Sequence, residues 1–256
     1  MQQVYSKPKS IKENSSFTFC SGCDHGLAIK LVAEVIDELN LQEETIAVAS
    51  SGCSVFLYDF LDVDCVESPH GRACAVATGI KRAHRAKGDD KFVFTYQGDG
   101  DFASIGIAES LHSALRGENI TAICINNTNY GMTGGQMAPT SLPGQVTQTS
   151  PYGRDVSQCG LPIKVSELLS SLDAPYYIER VAVNNVKNVR AAKAAIKKAF
   201  QNQMEGKGYS IVEVLSTCPT NWGLSPVEAL KWLEDNMMPY YPLGVYKDGD
   251  KREVLK

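Results

Sequence analysis

Cysteines and two short polar motifs carry the chemistry legible in this 256-residue chain, which has eight cysteines in all. Cys20 and Cys23 form a C-x-x-C, Cys53 sits in SSGCS and Cys218 in STCPT. All four stand beside Gly, Ser, Thr or Pro at the edges of predicted elements, where irregular backbone can turn thiolates towards one point. A shared metal centre is therefore expected from them. Cys65, Cys74 and Cys124 lie within apolar patterns and are expected in the core, because a free thiol packs as a small hydrophobe. Cys159 stands apart. The polar motifs are Gly98, Asp99 and Gly100 at the end of one strand pattern and Asn126 and Asn127 at the end of another. Residues 101–125 between them suffice for a crossover helix returning to a parallel strand. Ligands in such sheets bind outside the carboxyl ends of the strands, so Asp99 and Asn127 are expected to face one crevice. Asp99, the Asn127 side-chain oxygen and a nearby carbonyl would suit Mg²⁺ and leave room for diphosphate oxygens. Gly98 and Gly100 let the backbone turn tightly beside a phosphate, and amides at the start of the following helix can donate to it.

The elements that must hold these groups follow from hydrophobic periodicity. Leu27, Leu31, Val32, Val35, Ile36 and Leu39 recur at helical spacing, predicting a helix over 25–40 that opens just after the C-x-x-C. Strands are predicted at 45–49, 63–67, 92–96, 121–126, 176–183 and 209–215, and helices at 72–86, 104–116, 186–204 and 226–236. This alternation implies an α/β fold, a mainly parallel sheet with helices on both faces. The length favours one domain over 1–256, with a long loop at 134–162 rich in Gly, Pro, Ser, Thr and Gln and a tail at 237–256. The loop is expected to be a lid or part of a subunit interface. The tail is expected to wrap a partner or to pack on its own domain.

Composition narrows the function. With 25 basic against 29 acidic residues and a net charge of -4, the chain lacks the basic excess of a nucleic-acid binder. No apolar run approaches the roughly 20 residues that span a bilayer. The polar start MQQVYSKPKSIKENSS has no apolar centre of a signal peptide, so a cytoplasmic location is expected, where eight thiols suit metal ligation or catalysis better than disulfides.

Joined to the downstream Y-G-M-T-G-G-Q, the G-D-G and N-N pair closely resembles the thiamine diphosphate binding motif. With the cysteines added, the chain resembles, over almost its whole length, the beta subunit of 2-oxoacid:ferredoxin oxidoreductases. The resemblance implies the diphosphate-binding (PP-type) thiamine diphosphate fold, with Mg²⁺ held by Asp99, Asn127 and the Asn129 carbonyl. It implies one [4Fe-4S] cluster on Cys20, Cys23, Cys53 and Cys218. Cofactor contacts are implied for Gly52, Cys53, Ser54, His70, Gly98, Asp99, Gly100 and Asp101, and for Asn127, Asn129, Tyr130, Gly131, Met132 and Thr133. His70 and Arg72 match a family stretch where an imidazole and a guanidinium could meet the diphosphate or the substrate carboxylate, and they are the expected catalytic pair.

The implied activity is CoA-dependent oxidative decarboxylation of a 2-oxo acid, 2-oxoglutarate or a branched-chain 2-oxo acid, with electrons passing to ferredoxin. The implied partner is an alpha subunit supplying the pyrimidine-side domain and the activating carboxylate, in a hetero-oligomer. Two departures stand out. F-C-S-G-C-D replaces W-C-P-G-C-G, which puts Asp24 beside the cluster, and Gly134 stands where some relatives place a lysine. Spacing alone leaves a zinc site open for the four cysteines. The alternatives are a non-redox thiamine diphosphate decarboxylase or synthase subunit with structural zinc, and a non-catalytic zinc-stabilised interaction subunit.

Overall fold

The computed structural model describes residues 6–249. Seven strands form the main sheet: β1 (Thr45–Ser50), β2 (Asp64–Ser68), β3 (Phe92–Gly98), β4 (Thr121–Asn126), β7 (Tyr177–Ala182), β8 (Ser210–Leu215) and β9 (Gly244–Asp248). A two-stranded ribbon of β5 (Asn129–Tyr130) and β6 (Gln136–Met137) stands beside it. The order is β2-β1-β3-β4-β8-β7-β9, parallel throughout except for β9, which runs antiparallel to β7. Every residue of β1, β4 and β8 is buried, as in strands covered on both faces. Successive side chains alternate between two cores. Phe92, Phe94 and Tyr96 join Ile123, Ile125, Val212 and Val214 under the helices His25–Glu38 and Val186–Met204. Val93, Ala122, Cys124 and Ile211 join the opposite core under Ala73–Ala86, Ile107–Leu115 and Val165–Ser170.

The chain leaves β1 towards β2 on one side and returns with β3 on the other, so the strand order reverses between β1 and β3. A ligand crevice is expected at such a point. Cys74 and Cys124 are buried as expected, whereas Cys65 is half-buried and Cys159 exposed. The expected helix over 104–116 begins instead with a π-helical turn, Asp101–Ile105.

The region 134–162 is irregular but well fastened. The buried Arg154 guanidinium donates to the carbonyls of Ala138, Pro139, Ser141, Cys159 and Gly160 at 2.9–3.1 Å. Those five carbonyls share one cation, so no helix or strand is needed to satisfy them. The tail through residue 249 packs on its own sheet as β9, and Leu233, Met237 and Tyr241 form a third apolar cluster with Leu142, Ala182 and Leu215. Residues 250–256 of the expected tail lie outside the described residues. No helix among the described residues is long and apolar enough to cross a membrane.

Candidate active site

The site lies at the carboxyl ends of β1, β3 and β4. A cavity of about 310 Å³ is lined by every residue expected to bind the cofactor, together with His25 and Ser51. Asp99 follows β3 directly and is almost fully buried. Burial raises its carboxyl to about 7, opposed by hydrogen bonds from the Thr140 hydroxyl and from nearby backbone amides. The carboxyl is thus placed where its ionised form needs a compensating cation.

The N-N turn after β4 supplies the next two oxygens. One terminal amide atom of Asn127 lies 3.2 Å from Asp99 Oδ1 and 2.8 Å from the Asn129 carbonyl oxygen. As nitrogen it donates to both. As oxygen it would stand between the Asp99 carboxylate and the Asn129 carbonyl, oxygens of the kind a hard divalent cation takes. Thr128 between them has φ 58°, unusual for a β-branched residue. The turn is held by Thr128 N–H donating to Asn126 Oδ1 at 3.1 Å and by Gln145 Nε2 donating to Thr128 Oγ1 at 2.9 Å. Asn126 in turn donates to Glu213 Oε1 at 2.8 Å, tying the turn to β8.

Asp101 organises the opposite wall. Its Oδ1 accepts from Ser50 Oγ at 2.5 Å and Gly71 N–H at 2.5 Å, and its Oδ2 accepts from Gln97 Nε2. His70 Nδ1 lies 2.8 Å from the same Oδ1 and 3.1 Å from the Ser51 carbonyl. A proton on Nδ1 serves both acceptors and leaves Nε2 as the free basic atom. Arg72, expected to act with His70, does not line the cavity. Its exposed guanidinium meets Glu109 Oε1 at 2.8 Å on the helix Ile107–Leu115.

The four candidate ligand cysteines come from three segments, the loop of Cys20 and Cys23, the turn after β1 and the segment after β8, and lie near enough to act on one another. Burial raises the Cys23 thiol to about 12 and the Cys53 thiol to about 11, and the nearby Cys218 adds to both. Cys20 also acts on Cys53. Burial raises Cys218 as well, opposed by hydrogen bonds from the Asn221 backbone and from the side chains of Asn129 and Asn221. Among the described residues, no three Cys, His, Asp or Glu side chains meet tightly enough for a single metal ion. Asp24, beside Cys23, is buried, and its Oδ2 accepts from Thr217 N–H at 2.8 Å and from Thr217 Oγ1 at 3.0 Å. It therefore latches the C-x-x-C loop to the segment of Cys218 and shares its charge with those donors.

Three contributors escaped the sequence reading. Thr140 comes from the aperiodic loop, and His25 was read only as the start of a helix. Asn221 follows Cys218 by three residues, a spacing that puts both on one side of a helical turn and was the available signal.

A cavity of this lining, at the switch point of a parallel sheet, defines a thiamine diphosphate-binding domain. Residues 51–214 match the family model described as the thiamine pyrophosphate enzyme, C-terminal TPP binding domain. The chain belongs more narrowly to the family of 2-oxoacid:ferredoxin oxidoreductase subunits. It is 37% identical to the 2-oxoglutarate synthase subunit KorB of Methanocaldococcus jannaschii, over 85% of this chain and 77% of that one. It is 48% identical to the ketoisovalerate oxidoreductase subunit VorA of Methanothermobacter thermautotrophicus, over 90% of this chain but 47% of the relative. The chain thus spans about half the length of that relative and of the VorA of Methanothermobacter marburgensis, to which it is 45% identical. The solved 2-oxoglutarate:ferredoxin oxidoreductase of Magnetococcus marinus superposes with a TM-score of 0.77 at 25% identity, over 96% of this chain and 86% of that one.

Proposed function

We propose that this chain is the cofactor-binding part of a 2-oxoacid:ferredoxin oxidoreductase that converts a branched-chain 2-oxo acid and coenzyme A to an acyl-CoA and CO₂. Two electrons leave through a [4Fe-4S] cluster to ferredoxin. The observation that carries this reading is one cavity lined both by the Asp99, Asn127 and Asn129 oxygens and by Cys53. Diphosphate-holding and thiol groups thus share a wall, as an enzyme that oxidises on its cofactor requires. When bound, thiamine diphosphate supplies the carbon chemistry and the cluster accepts electrons singly.

The chain's own residues bind and position. Asp99, Asn127 and the Asn129 carbonyl would hold Mg²⁺ against the diphosphate, and Cys20, Cys23, Cys53 and Cys218 would hold the cluster. His70, aligned by Asp101, would exchange a proton at Nε2 at the cavity wall. A cluster beside the thiamine diphosphate site has a redox role to play there that zinc lacks. Identity to two ketoisovalerate enzymes supports the branched-chain class. The cavity lining offers no Lys or Arg, so the second carboxylate of 2-oxoglutarate would need a cation from another chain. Iron, acid-labile sulfide and zinc content of protein purified without oxygen tests the reading. About four iron and four sulfide per chain are expected. Stoichiometric zinc without sulfide would overturn the redox part and leave a non-redox thiamine diphosphate enzyme.

A further inference from the structure

Asn221 touches both candidate cofactor sites. It lies in the turn Pro219–Trp222, directly after Cys218. Its Nδ2 donates to the Gly131 carbonyl at 2.8 Å and to Cys218 Sγ at 3.3 Å, and lies 3.4 Å from Asn129 Oδ1. A primary amide has two N–H bonds, so the carbonyl and the sulfur can be served together.

Two glycines near it have little room for a side chain. A Cβ on Gly135, where φ is +86°, would stand 2.9 Å from Asn221 Cβ. A Cβ on Gly131 would stand 3.2 Å from Cys53 Sγ. The segment carrying Tyr130, Gly131 and Met132 along the cavity therefore rests on the cysteine loops, and Asn221, alongside Asn129, hydrogen-bonds Cys218 while also holding the Gly131 carbonyl.

We propose that Asn221 is a positioning residue that fastens the cofactor-binding loop to the cysteine centre and raises the reduction potential of the cluster through its N–H···S hydrogen bond. The inference rests on the reading that the four cysteines hold a [4Fe-4S] cluster. Taking up one electron adds one negative charge to the cluster and its sulfurs, so an N–H dipole aimed at Cys218 stabilises the reduced form more than the oxidised one. If the bond is stronger by about 1.4 kcal/mol in the reduced form, the reduction equilibrium shifts about tenfold, or about 59 mV for one electron. The same amide pins Gly131, so its loss should also loosen thiamine diphosphate.

The test compares wild type with Asn221→Leu and Asn221→Asp in the assembled enzyme, prepared without oxygen. Iron and sulfide are counted first, the cluster midpoint is then read by an EPR-monitored redox titration, and thiamine diphosphate affinity is measured with Mg²⁺ present. Asn221→Leu should keep its iron and sulfide, lower the reduction equilibrium about tenfold and weaken thiamine diphosphate several-fold. Asn221→Asp, of the same shape but without the N–H and with added negative charge, should lower the midpoint further. It gives the reading if the leucine variant fails to assemble. An intact cluster with an unchanged or raised midpoint in either variant would overturn the inference while leaving the cluster reading intact. Wild type holding zinc and no sulfide would overturn both, and that outcome is distinguished at the first step.

Discussion

Gly100 has no room for a side chain. A Cβ there would fall 2.4 Å from Tyr130 Cε1, and the ring is fixed by Tyr130 Oη donating to Ser104 Oγ at 2.6 Å. Gly100→Ala should therefore push Tyr130 off the cavity wall. Overpacking of this kind costs about 1–3 kcal/mol. The expected outcome is at least a tenfold loss of Mg²⁺-dependent thiamine diphosphate affinity by calorimetry and a melting temperature lower by several degrees. Unchanged affinity would mean that the ring is not part of the site. The glycines and the Asp99 and Asn127 pair were legible in sequence because each sits in a short motif at the end of a strand. Thr140 and Asn221 were not, because they reach the site through tertiary packing from loops with no periodic signal. Arg72 shows the converse: its place in the H-G-R stretch pointed to the cofactor, but the helix start directs it to Glu109.

At the scale of elements, the site is braced by a buried ion pair across the sheet. Arg180 on β7 and Glu213 on β8 are fully buried, 2.8 Å apart, and Glu213 also accepts from Asn126 at the end of β4. Arg180 reaches the half-buried Glu167 on the helix Val165–Ser170 as well. Burial alone would raise the Glu167 carboxyl, but the hydrogen bonds and charge of Arg180 prevail and hold it below the ordinary 4.5. A carboxyl whose folded value is depressed contributes stability above its unfolded value and loses it as pH falls through the folded one. Wild type should exceed Glu167→Gln by about 1 kcal/mol near pH 7, a figure discounted for the partial exposure of Glu167. The difference should shrink below pH 4.5, read as converging denaturation midpoints. A constant difference across that window would remove the ion pair as its cause. The parallel strands β1, β3, β4 and β8 were legible because burial on both faces makes them apolar runs. β9 was not, because an exposed edge strand such as GVYKD lacks such a run, and the 134–162 region hid its order in the Arg154 contacts with five carbonyls.

Under the proposed function, this chain supplies only part of the active site. Asp99 and Asp101 are the two carboxylates in the cavity lining, and both are already engaged. Asp99 meets Thr140 and the Asn127 amide, while Asp101 gathers Ser50, Gly71, Gln97 and His70. Neither is left to act as the acid that a thiamine enzyme sets against the aminopyrimidine. Under the proposed function that group comes from a partner polypeptide, and the two VorA relatives are about twice as long as this chain. Val146 and Leu161, large apolar side chains on the 134–162 region, are 63% and 71% exposed, which suits a surface covered on assembly. General acid–base catalysis contributes about 10²–10⁴ in rate. The chain alone, loaded with thiamine diphosphate, Mg²⁺ and iron-sulfur, should therefore reduce ferredoxin with 3-methyl-2-oxobutanoate and coenzyme A at least a hundredfold more slowly than the chain with its partner polypeptide. Turnover by the single chain at the rate of the assembled enzyme would show that an acid within these 256 residues performs that step, and would remove the need for a partner at the reacting centre.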